Sequence, residues 1–80
     1  MTPEEAANAQ HRANQSIQEA EKNLEKTRGK ALNATQADVA SKVRGFLGDA
    51  REAARTGDWE RAQNLARKAQ VLSEELAGLL

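Results

Sequence analysis

The stretch Ala54-Arg55-Thr56-Gly57-Asp58-Trp59-Glu60-Arg61-Ala62 constrains this chain more than any other. It closes one helical pattern and opens the next within a few residues. Gly57 suits the position just past a helix end, because glycine enters the left-handed region without the Cβ penalty. Asp58 then fits as N-cap of the following helix, its carboxylate accepting from free backbone N–H groups and favoured by the helix dipole. Trp59 falls in the first turn. Beyond it Ala62, Leu65, Ala69, Leu72, Leu76 and Leu79 recur at spacings of three and four, which is one apolar stripe on a helix. Gly57 and Asp58 therefore predict the structural turn of a helix–turn–helix hairpin.

The rest of the chain reads as helix too. Alanine, glutamate, glutamine, lysine, arginine and leucine dominate, all good helix formers, and no stretch alternates at period two. Thr2-Pro3-Glu4-Glu5 is a dense start signal, with a capping threonine, proline at the first helical position and a glutamate that completes a capping box. A heptad stripe follows through Ala6, Gln10, Ala13, Ile17, Ala20, Leu24, Thr27 and Ala31. This predicts a long first helix over about residues 3–32, with Gly29 either tolerated inside it or marking an early end. Asn33-Ala34-Thr35 reads as a turn, and Thr35-Gln36-Ala37-Asp38 as a capping box for a second helix over about 36–56. On that helix Val39, Val43, Phe46, Leu47, Ala50, Ala53 and Ala54 share a face, opposite Arg44, Gly48, Arg51, Glu52 and Arg55. The third helix spans about 59–78. The expectation is an all-α chain, one helical domain over residues 1–80 with coiled-coil-like packing. Residues 36–80 form the antiparallel hairpin. Residues 1–12 project beyond it, because thirty helical residues span roughly 45 Å and twenty only roughly 30 Å.

Composition narrows the function by exclusion. Lysine plus arginine equals aspartate plus glutamate at 12 each, which argues against nucleic acid and anionic membranes as partners. Cysteine is absent, so disulfides, thiol nucleophiles and cysteine-based metal sites are excluded. No apolar run approaches membrane-spanning length, so no membrane insertion is expected, and no signal-peptide pattern is present. His11 is the single histidine and reads as solvated surface, with no His-x-x-x-His or Glu-x-x-His spacing around it. Glu4/Glu5 and Glu74/Glu75 are adjacent pairs, which diverge by 100° on a helix and cannot act as a dyad. Lys22, Lys26, Arg28 and Lys30 form a local basic run. Glu19 and Glu25 lie within reach, and the aromatics of nucleic-acid platforms are missing, so the run reads as a solvated face. No nucleophile–base set, phosphate loop or ligand cluster appears, and the expectation is a non-enzyme with no cofactor and no metal.

Gly57-Asp58-Trp59-Glu60-Arg61-Ala62, with Ala66 and Ala69, resembles the turn and second helix of a tetratricopeptide repeat. The preceding helix lacks that family's aromatic and Leu-Gly signature, although Ala50 falls where a small residue belongs. No closing proline and no second copy at a 34-residue period are present. The segment from about Phe46 to Leu76 is also similar to helical domains of uncharacterised bacterial envelope proteins. There a Gly-Asp-x-x-Arg-Ala-x-Asn-Leu-Ala run recurs, which Gly57, Asp58, Arg61, Ala62, Asn64, Leu65 and Ala66 match. This resemblance implies a helical domain and no activity. It implies the bacterial envelope as compartment if a leader has been removed.

About half of the apolar residues are alanines, so the core is thin and self-association would add buried area. The functional expectation is a protein–protein interaction module, foremost a homo-oligomer, a dimer or higher, in a structural role. The alternatives are a tetratricopeptide-like peptide-binding adaptor for other proteins and, more distantly, an enzyme subunit without its own active site. The interaction residues expected are Ala6, Gln10 and Ala13 on the projecting end, Trp59 at the edge of that contact, and Gly48. Gly48 and Gly45 are unusual inside a helix and read either as tolerated surface or as a point of close helix approach.

Overall fold

The computed structural model describes all 80 residues and contains three helices, α1 (Pro3–Glu25), α2 (Ala34–Arg55) and α3 (Trp59–Leu79). Each start is set by a side chain that satisfies free backbone N–H groups. Thr2 Oγ1 accepts from the Glu5 N–H at 3.1 Å, and the Thr2 N–H donates to the Glu5 carboxylate at 3.3 Å. Asn33 and Gln36 form the same reciprocal box for α2, at 2.8 and 2.9 Å. The cap of α2 is thus Asn33, two residues before the expected Thr35. Asparagine is as good an N-cap as threonine, and glutamine completes the box where Asp38 does not.

The hairpin turn is built as expected. Gly57 has φ +80°. Its N–H donates to the Ala54 carbonyl at 3.0 Å, and the Asp58 N–H donates to the Ala53 carbonyl at 2.9 Å. These two bonds are the paired closures of a Schellman motif. Asp58 in turn accepts from the Arg61 N–H at 3.2 Å, so one residue ends α2 and caps α3.

The first helix ends early. After Glu25 the backbone tightens, with Lys26, Thr27 and Arg28 each bonding three residues back. The Thr27 hydroxyl donates to the Leu24 carbonyl at 2.7 Å, and Gly29 leaves the helical region at φ +76°. Of the two readings of Gly29, the early end is the one realised. The three helices are therefore nearly equal, at 23, 22 and 21 residues. The chain's own cover reaches Ala9, only 5% exposed, so the end expected to project over residues 1–12 is covered from Ala9 onward.

Side-chain partners fix the topology. Ala13 clusters with Ala62 and Ala66, Ala20 with Ala69 and Leu76, and Asn23 bonds to Ser73. Both numbers rise together, so α1 and α3 run parallel. Ala53 sits with Ala62, while Gln36 reaches the Leu79 carbonyl at 2.7 Å, so α2 is antiparallel to both. The result is an up–down–up rod measuring 45 × 16 × 16 Å. Helix α3 lies against both others, whereas α1 and α2 meet far less.

That central place explains where the stripe on α3 lies. The fully covered residues are Ala62, Ala66, Ala69, Ser73 and Leu76. Leu65 and Leu72 of the expected stripe are only half-buried, and Leu79 is exposed. A helix held between two neighbours buries a broad stripe, and small residues occupy its centre line. On α1 the covered positions are Ala9, Ala13, Ala20 and Asn23, while Gln10 faces solvent, and Ala31 of the expected stripe lies exposed in the loop beyond the helix.

Candidate interaction surfaces

The residues expected to meet a second chain are scattered. Ala13 is fully buried within this chain, packed among Ala50, Ala53, Ala62 and Ala66. Trp59 is half-buried against the same alanines. These two come together, but as intramolecular packing. Ala6 is half-buried and Gln10 exposed near the projecting end. Gly48 lies apart on the outer side of α2, and a Cβ built there or at Gly45 meets nothing within 4 Å. No helix of this chain approaches either glycine, which places both as surface glycines.

One buried feature escaped the sequence reading. Asn23 Nδ2 donates to Ser73 Oγ at 3.1 Å, and Ser73 Oγ donates to the Gln70 carbonyl at 2.7 Å. Both residues are covered, at 6% and 0% exposure, and no buried side-chain polar atom lacks a partner. Alanine surfaces slide past one another easily, whereas a satisfied polar pair penalises any other register. The available signal was that Asn23 and Ser73 continue the small-residue spacings of α1 and α3.

Three outer surfaces differ in chemistry. Between α1 and α3 the furrow is lined by Gln15, Gln18, Glu19, Gln63 and Gln70 among others, with no hydrophobic residue. On the α2–α3 side, Phe46 and Leu72 are half-buried beside Val71, which is 54% exposed. Lys68 Nζ stands 5.9 Å from the Phe46 ring centroid, within cation–π range. Between α1 and α2, the tertiary fold gathers Arg28 and Lys30 of the basic run beside Arg44 and Arg51 of α2, over Leu24, Leu32 and Leu47.

The charges of this last groove are only partly paired. Arg51 bridges to Glu21 across the helices, and Arg28 to Glu25 at 2.9 Å. Arg44 and Lys30 have no carboxylate within 4.0 Å. Farther along α2, the hydrogen bond from Arg55 holds the Glu52 carboxyl below its usual range and raises the guanidinium in return. His11 is exposed, and no three His, Cys, Asp or Glu side chains converge to hold a metal ion. No helix is long and apolar enough to cross a membrane. Compared with protein-family models, curated proteins and solved structures, the chain finds no match, and these surfaces alone carry its functional reading.

Proposed function

We propose that this chain is a non-catalytic helical module for protein–protein contact whose first partner is a second copy of itself. The observation that carries the reading is the strip along α2 and α3 where Val71 is 54% exposed beside the half-buried Phe46 and Leu72, although the interior is largely alanine. The rod's area supports it. The chain exposes 5167 Å², against about 4,700 Å² for a compact protein of 8.7 kDa. A second rod laid along the strip, related by a two-fold axis, covers the same patch twice and adds the burial that a thin core lacks. Zero net charge leaves no overall repulsion between copies. The proposed contact excludes Ala13, since a glutamate there would disrupt the fold before it disrupted any assembly.

Light scattering coupled to size exclusion tests this. At roughly 100 μM, a concentration that reports an association of about 5.5 kcal/mol, the wild type is expected at twice its chain mass. Val71→Glu should return it to a monomer with unchanged helicity, because Val71 is 54% exposed. A wild type that runs as a monomer at that concentration rules the reading out.

A further inference from the structure

The groove between α1 and α2 is a separate surface from the α2–α3 strip. Its two walls are written in the same order. On α2, Arg44, Leu47 and Arg51 follow at spacings of three and four, so they share one face and the arginines stand roughly 10 Å apart along the axis. On the facing wall, Glu21 and Leu24 of α1 and Arg28 of the turn that follows it repeat the spacing. Each wall thus has charge, leucine, charge. The apolar part of the floor is offered by Leu24 and Leu32, both half-buried, above the covered Leu47.

The groove carries a local charge excess in a neutral chain. Four cations line it, Arg28, Lys30, Arg44 and Arg51, against two anions, Glu21 and Glu25, for a difference of +2. Two of the cations, Lys30 and Arg44, are unpaired and exposed. A complementary occupant brings at least two negative charges and an aliphatic side chain between them. A free inorganic anion satisfies the cations but leaves the leucines wet. A nucleic-acid strand has no aromatic platform to stack on, since none of the residues lining the groove is aromatic.

We propose that this groove docks an acidic, leucine-bearing peptide segment of a partner protein. The leucine lies on the half-buried Leu24 and Leu32, and the flanking carboxylates meet Arg44 and Lys30. Guanidinium and carboxylate match as a two-pronged pair, so Arg44 orients the segment more tightly than Lys30 does. The docking does not depend on self-association, which uses the opposite side of α2.

Fluorescence anisotropy of a labelled helical peptide containing Glu-Ala-Ala-Leu-Ala-Ala-Ala-Glu tests the proposal on the full chain. Saturable binding is expected below roughly 1 mM, weakening as salt rises. Arg44→Glu combined with Lys30→Glu should weaken it by about tenfold or more, with helicity retained because both side chains are exposed. Val71→Glu should leave it unchanged, which separates this surface from the assembly strip. A peptide with serine in place of leucine should bind at least several-fold more weakly, the share of one buried aliphatic side chain. Equal binding of the serine peptide would reduce the groove to general charge attraction and overturn the proposal. So would tighter binding of oligouridine than of the peptide, or no saturation at 1 mM, a limit set by about 4 kcal/mol of association.

Discussion

The two ends of the rod are packed by opposite means. At the turn end the covered residues are Ala13, Ala50, Ala53, Ala62 and Ala66, with Trp59 and Leu65 closing the edges. At the loop end they are Val39, Val43, Leu47 and Leu76 with three alanines, backed by Leu24, Leu32, Phe46 and Leu72. Ile17 packs against both. Alanine brings helix axes close and buries little area per residue, so that end is defined by proximity. Larger aliphatic side chains bury more area but hold helices apart, and the α1–α2 groove lies at that end. Stability and the open cationic groove therefore come from the same residues, while the turn end supplies alignment.

The contrast yields distinct responses to mutation. The largest loss is expected at the loop end, where Leu76→Ala removes a fully covered side chain and leaves a cavity. The cost should be about 2–5 kcal/mol, read as a fall in the urea midpoint. A loss below about 1 kcal/mol would mean that the aliphatic end does not carry the stability assigned to it. At the turn end the sensitive change is the reverse one. Ala66→Leu inserts three extra carbons where no side-chain surface is exposed and should cost about 1–3 kcal/mol by forcing α3 away from its neighbours. If it is neutral or stabilising, the alanine seam is loose and the contrast fails. The smallest effect is a gain. Gly45→Ala and Gly48→Ala meet no neighbour and lie mid-helix, so each should stabilise by about 0.5–1 kcal/mol. That pair calibrates a pure backbone effect, indifferent to which end is packed how. Thermal melts of the double variant measure it.

Local signals were legible because local chemistry creates them. The Gly57–Asp58 turn needs only a left-handed residue and a capping carboxylate, and both are visible in order along the chain. The box at Thr2 and Glu5 was equally plain. The cap at Asn33 was missed because Thr35 offered a competing threonine two residues later, and cap choice depends on where the preceding loop delivers the chain. The end of α1 stayed open between two readings, since a lone glycine is compatible with either and only the tertiary cost of a longer helix separates them. Ala13 reads in the sequence as a contact for a second chain for a related reason, and it is buried within this one. Ala13 appears as a small residue in a sparse stripe, and nothing local says whether its cover comes from this chain or another.

What the sequence determined by itself is the all-α class, the three helices and the hairpin, since these follow from propensity, periodicity and capping within a few residues. What the tertiary structure decided is which faces meet. It set α1 parallel to α3 through alanines some fifty positions apart and locked the register with Asn23 and Ser73, partners separated by 50 residues. It also carried Arg28 and Lys30 across to Arg44 and Arg51, which the helical wheel had placed simply away from the hairpin core. Helical periodicity says only which residues share a face. The partner of that face is chosen by the fit of side-chain volumes between distant helices and by the need to pair every buried polar group.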